Sequence, residues 1–397
     1  MTPQTESNPM TTPFARGMAR ATDLTRAGKL DEATALIQSL LQGPSAASSP
    51  ADLTENMPEA DDLIEGSFTR LDPSSPAPKA SPRKPAARTG LAETLRSLAA
   101  GGMPRPGMTP PPQIDLPDGA QFLSLTHLSA HGSRDYRLYI PAKQGEGPMP
   151  LVVMLHGCTQ SPEDFAIGTG MNILAEEFGF LVAWPAQPQG ANAQKCWNWF
   201  RPEDQGRGKG EPALLAGVVG DILGSQRVDP RRVYVAGLSA GGAAAAIMGA
   251  AYPQMFAAVS VHSGLPVGAA RDVPSAFAAM RGGSTAKPHS AAVPTIVFHG
   301  LADTTVHPAN GAAVLDQAIA TVSGLRPVRV SGRSLGGRSY TQTSHLDAVD
   351  VSVAEHWEIE GAAHAWAGGQ PGGSYTDTKG PDASREMVRF FLQHQQR

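Results

Sequence analysis

The chain has 397 residues, a formal net charge of −4 and an isoelectric point near 6.3. That length suits one large α/β domain with appendages, and so balanced a charge offers no basic surface to attract nucleic acid. Its two cysteines, Cys158 and Cys196, are too few for a disulfide framework or a zinc cluster, and leave open a single bridge.

The first residues, MTPQTESNPMTTPFARGMARATDL, lack the apolar run of a secretory signal, and no later run approaches the length of a membrane span. A cytoplasmic location is the expectation. Residues 14–42 carry apolar side chains at helical spacing, interrupted by Gly28, and predict a helical hairpin too small to bury a core of its own. Residues 43–113 shift to Pro, Ser, Ala and Gly and predict a disordered linker, with a short helix at 91–98. A compact domain is expected over 114–397.

Within it, SRDYRLYIPA (133–142) alternates as an edge strand would, and PLVVMLHG (150–157) is a continuous aliphatic run suited to a strand covered on both faces. A helix at 170–178, a strand at 180–185, a long polar loop, a helix at 214–226 and the strand RRVYVAG (231–237) follow. Strands at 256–264, 294–300 and 356–361, and helices at 313–322 and 384–395, complete the series. Alternating β and α with apolar strands predicts a mostly parallel sheet with helices on both faces.

Between RRVYVAG and the alanine-rich run SAGGAAAAIMGAAY stands Gly237-Leu238-Ser239-Ala240-Gly241. In G-x-S-x-G the serine occupies a sharp strand-to-helix turn where backbones approach too closely for Cβ atoms, and the α/β-hydrolase fold follows. A serine hydroxyl needs a base, and the base a carboxylate to orient it. In the expected order, Asp303 lies just past the strand PTIVFHG and His364 just past HWEIEG, both on the edge that carries Ser239. Asp316 falls in a helical run, Asp347 and Asp350 in a polar loop, and His299 in a turn; His262, His307 and His345 read as structural. The amide of Ala240, directly after the serine, is one expected oxyanion donor, and the HGCTQ loop supplies the other, assigned to Cys158.

HGCTQ, CWNWF, GLSAGG, HGLADTTV and GAAHAW together resemble the esterase family of poly(3-hydroxybutyrate) depolymerases, over about residues 120–395. Feruloyl and acetylxylan esterases resemble the same domain. The resemblance implies Ser239 as nucleophile, Asp303 and His364 as its partners, Cys158 at the oxyanion loop, and no metal or organic cofactor. It implies a short-chain polyhydroxyalkanoate ester as substrate, as oligomer or amorphous granule, since the short stretch after His364 leaves no room for a polymer-binding module. On the residues alone, Trp197 and Trp199 are as suited to packing the loop as to walling an acyl chain; the resemblance tips Trp197 toward substrate. A Cys158–Cys196 bridge also resembles what relatives use to pin this loop, whereas cytoplasmic thiols tend to stay reduced. The N-terminal hairpin is expected to meet the granule surface. Two rival readings are a feruloyl or acetylxylan esterase and a granule-surface binding protein with a scaffold hydrolase domain.

Overall fold

The computed structural model describes residues 114–283 and 293–396. The expected hairpin, linker and helix at 91–98 lie outside them.

The chain forms β1 (Gln121–Ser129), β2 (Gly132–Ile140), β3 (Met149–Leu155), α1 (Pro162–Thr169), α2 (Met171–Phe178), β4 (Leu181–Pro185), α3 (Gly210–Ser225) and β5 (Val228–Leu238). There follow α4 (Ala240–Ala251), β6 (Ala258–His262), α5 (Val273–Gly282), β7 (Thr295–Gly300) and α6 (Ala309–Ile319). The last elements are β8 (Arg326–Arg333), β9 (Ser339–Leu346), β10 (Ser352–Ile359), the short β11 (Trp366–Ala367) and β12 (Thr376–Asp377), and α7 (Ala383–Phe391). Ten strands make one sheet in the order β1-β2-β4-β3-β5-β6-β7-β10-β9-β8. From β4 to β10 neighbouring strands run parallel, and antiparallel pairs flank them on both sides. This is the α/β-hydrolase fold.

The apolar run in β3 explains its central place. Leu151, Val153 and Leu155 belong to one buried cluster and Val152 and Met154 to another, so the two faces of a single strand feed two cores. Helices cover each face, and the backbone termini are closed locally. Ser161 caps α1 by accepting the Asp164 N–H, and Gly170, in the left-handed region, lets the chain break and restart as α2.

The sequence reading departs from the structure in several elements. The strand expected at the edge, β2, is paired on both sides, and β1 takes the edge. Helices α1 and α5 and the β8–β9 hairpin were not expected. β8 is mostly exposed and β9 is half-buried along nearly its whole length, so neither strand shows apolar alternation. His299 stands in β7 rather than in a turn, fully buried.

Candidate active site

Four strand ends meet at one edge of the sheet. β3 runs into Cys158, β5 into Ser239, β7 into Asp303 and β10 into the loop that carries His364. Parallel strands aim their carboxyl ends the same way, which gathers residues distant in sequence into one crevice.

Ser239 sits between β5 and α4 with φ 58° and ψ −118°, a strained conformation for a residue with a side chain. The glycines around it are sterically required. A Cβ on Gly237 would stand 2.2 Å from the Gly241 carbonyl oxygen, and one on Gly241 would stand 2.0 Å from the Leu155 carbonyl oxygen. The Ser239 N–H is held by the His262 carbonyl at 2.9 Å, which anchors the turn to β6.

Asp303 is buried and fully engaged. Its Oδ1 accepts the N–H groups of Thr305 and Val306, each at 2.9 Å, and its Oδ2 lies 2.7 Å from His364 Nδ1. Burial would raise this carboxyl, but hydrogen bonds from His299 and His364, the charge of His364 and the Val306 amide outweigh it and hold the group well below the usual carboxylate range. His299, which the sequence reading set aside as a turn residue, lies with Nε2 3.5 Å from Asp303 Oδ2 and 2.9 Å from the Val306 carbonyl oxygen. The spacing of four residues in HGLAD was the available signal. Ser239 Oγ and His364 Nε2 hold no hydrogen bond, to each other or to any other described residue. Bonds of this kind tighten when substrate seats.

The loop after β3 can be sorted amide by amide. Gly157 N–H donates to Gln160 Oε1 at 2.9 Å, and Thr159 N–H to the Gln194 carbonyl at 2.7 Å. The N–H groups of Cys158 and of Ala240, at the start of α4, have no partner among the described residues. Gln160 is fixed in turn by donating to Asp164 Oδ2 at 2.9 Å. Cys158 and Cys196 are joined by a disulfide, which ties this loop to CWNWF.

A cavity of about 330 Å³ opens at Ser239, lined by Ala240, Cys158, Trp199, Phe277 and Met280 among others. One wall is α5, whose Val273, Ala276, Phe277 and Met280 recur at helical spacing, with Phe277 53% exposed. The expectation for Trp197 is corrected. It is 0% exposed, donates its indole N–H to the His156 carbonyl at 3.0 Å, and packs under Arg134, whose guanidinium lies 5.4 Å from its ring. Trp197 supports the loop after β3, and Trp199 lines the cavity.

Beneath CWNWF lies a buried polar network that the sequence did not betray. Glu211 accepts the N–H and side-chain amide of Asn198, each at 2.8 Å, and also the Gln187 amide. Burial raises the Glu211 carboxyl, against the lowering by these hydrogen bonds. The Gln187 N–H donates to His156 Nε2 at 3.1 Å, so the network reaches the strand end that precedes Cys158. Of the other histidines, His262 is packed between Phe298 and Trp366 and accepts the Ala367 N–H. His307 Nδ1 accepts the Ala309 N–H before α6. Asp316 lies in α6 and Asp347 and Asp350 between β9 and β10, all outside the crevice.

A family model described as Esterase PHB depolymerase matches residues 134–333. Poly(3-hydroxyalkanoate) depolymerase C of Paucimonas lemoignei is 33% identical over 229 residues, covering 54% of this chain and 54% of that protein. Poly(3-hydroxybutyrate) depolymerase of Ralstonia pickettii is 30% identical over 257 residues, covering 59% of this chain and 52% of that protein. The chain thus spans about half the length of the curated relatives it matches. Among solved structures, an acetyl xylan esterase from Aspergillus awamori superposes with a TM-score of 0.54 at 18% identity, covering 69% of this chain and 99% of that one, a likeness of fold.

Proposed function

Because the chain belongs to the Esterase PHB depolymerase family, we propose that it is a serine esterase that hydrolyses short-chain polyhydroxyalkanoate esters through an acyl-enzyme. The observation that carries this reading is the 2.7 Å bond from His364 Nδ1 to a buried, ionised Asp303, on the same sheet edge as a serine held at φ 58° beside an apolar cavity.

With Nδ1–H donated to Asp303, the tautomer leaves Nε2 of His364 unprotonated and able to act as base. As Ser239 Oγ attacks the ester carbonyl, its proton passes to Nε2, and the carbonyl electrons move onto oxygen. The free amides of Cys158 and Ala240 stabilise that oxyanion, with the dipole of α4 behind the second. Collapse expels the alkoxide, which takes the proton from His364, and leaves the acyl group on Ser239. A water then gives its proton to His364 and attacks the ester, and the second collapse returns the proton to Ser239 and frees the acid. The cavity beside Ser239 receives the acyl chain, with Trp199 and Phe277 as its walls. The substrate reading extends to amorphous polymer at a granule surface as well as to oligomers.

The test compares wild type and Ser239→Ala on p-nitrophenyl butyrate, amorphous polyhydroxybutyrate and methyl ferulate. Wild type is expected to release hydroxybutyrate from the polyester and to act poorly on ferulate. Ser239→Ala is expected to lose several orders of magnitude of rate. Retention of more than about a tenth of the activity would rule out the nucleophile, and activity on ferulate without activity on polyester would replace the substrate class.

A further inference from the structure

We propose that Tyr375 is a specificity residue for the alcohol half of the ester, its phenolic hydroxyl engaging the carbonyl of the hydroxyacid unit that departs. The inference rests on the serine-esterase reading above and adds a residue that neither the sequence motifs nor the triad geometry singles out.

An ester has two halves, and the chemistry separates them in space. The alcohol oxygen must receive its proton from His364, so the alcohol half lies on the histidine side of Ser239. The cavity at Ser239 is lined by the oxyanion loop, CWNWF and α5, and neither His364 nor Tyr375 contributes to it. It is the acyl side. Tyr375 lies outside that lining, on the chain that follows His364. Its carbonyl accepts the Trp366 N–H at 2.7 Å, two residues beyond His364, and its Oη lies 3.1 Å from Thr159 Oγ1, next to Cys158. The residue therefore bridges the histidine loop and the oxyanion loop.

Its conformation is costly for a residue without a role there. Tyr375 has φ 52°, in the left-handed region that a bulky aromatic seldom enters, and it is 47% exposed. Its ring stacks on no other aromatic ring among the described residues. The fold thus holds a half-exposed aromatic in a strained backbone between the histidine loop and the oxyanion loop, where glycine would be easier.

Proton bookkeeping makes the hydroxyl available. Thr159 has one O–H, and it is committed to the Cys158 carbonyl at 2.6 Å. Tyr375 must then be the donor in the 3.1 Å contact, and that long bond can be turned toward an incoming acceptor while Thr159 keeps its own partner. A departing 3-hydroxyacid unit carries such an acceptor, a carbonyl two carbons beyond the one that bears its hydroxyl oxygen. A plain alkyl alcohol has none.

The experiment uses two esters with the same acyl half: the methyl ester of the 3-hydroxybutyrate dimer, and ethyl 3-hydroxybutyrate. Wild type is expected to prefer the dimer. Tyr375→Phe, which keeps the ring and removes the hydroxyl, is expected to lower the dimer-to-ethyl-ester ratio of kcat/KM by roughly three- to tenfold, mostly through KM on the dimer. Tyr375→Gly, which relieves the backbone, should lower that ratio further without loss of thermal stability. Equal losses on both esters would mean that Tyr375 only braces Thr159, and an unchanged ratio would mean no contact; either result overturns the proposal. The failure of the underlying reading looks different. Wild type that cleaves the ethyl ester and not the dimer would overturn the polyester substrate and the proposed contact together, whereas dimer cleavage indifferent to Tyr375→Phe overturns the contact alone.

Discussion

His356 provides a quantitative test of how burial sets the charge state of this core. It lies in β10, 7% exposed, and its Nε2 has no hydrogen-bond partner among the described residues. Burial, reinforced by the nearby His299 and His345, lowers its pKa to about 4 from an ordinary 6.5. The neutral form is thus the folded form. Between those two values the unfolded chain binds a proton that the folded chain refuses, so stability from this group is full above pH 6.5, falls as pH drops through 6.5, and levels off below 4. From pH 7 to pH 5 the linkage amounts to about 2 kcal/mol. Other buried groups contribute as well: His262 and His156 act in the same direction, while Glu211 and Asp204, whose carboxyls are raised, act against it. A difference measurement cancels them. Urea unfolding of wild type and His356→Leu at pH 7 and pH 5 should show the variant losing about 2 kcal/mol less than wild type on acidification, whatever the leucine costs in packing at both pH values. Parallel losses in the two proteins would refute the reasoning, because they would place the protonated imidazole comfortably in the fold.

Asp303→Asn should fold normally and lose roughly three to four orders of magnitude in turnover on p-nitrophenyl butyrate, since an amide would present its N–H to Nδ1 and favour the wrong imidazole tautomer; near wild-type turnover would move the acid elsewhere. Replacing both cysteines by alanine leaves the amide of residue 158 in place and removes the cross-link, so stability to urea should fall by about 2–4 kcal/mol. Turnover should fall by less than about tenfold, because the Thr159–Gln194 and Trp197–His156 hydrogen bonds still join the two loops. Complete inactivation would show that the cystine, and not those bonds, shapes the oxyanion loop.

The strand ends that carry Ser239, Asp303 and His364 were legible because their signals are local. Gly237 and Gly241 are forced by contacts of 2.2 and 2.0 Å within one turn and its neighbouring strand, and an apolar run followed by a polar residue suffices to mark Asp303 and His364 as strand-end groups. Where the backbone is irregular the same reasoning loses its footing. The alternation rule puts Trp197 and Trp199 on one side of an extended segment, but residues 194–200 form turns and irregular chain, with Lys195 at φ 54°, so one indole points into the core and the other to the cavity.

Contacts between distant segments carry no signal of either kind. Thr159 and Tyr375 are 216 positions apart, and Gln187 reaches both Arg134 and Glu211 across separate elements. Their pairing depends on which strands the sheet places side by side. The division of labour follows from that. Close backbone packing fixes where Ser239, His364 and Asp303 stand, and it leaves its mark on the sequence as glycines and apolar runs. The residues that grip one ester rather than another come from loops that meet only after the sheet has formed, and single polar or aromatic residues in a loop look alike until their neighbours are known. The cavity wall built by α5 and Trp199, and the Thr159–Tyr375 contact, both belong to that second group. A family resemblance carried by strand-end motifs therefore speaks to the reaction, while the choice of substrate rests on side chains outside those motifs.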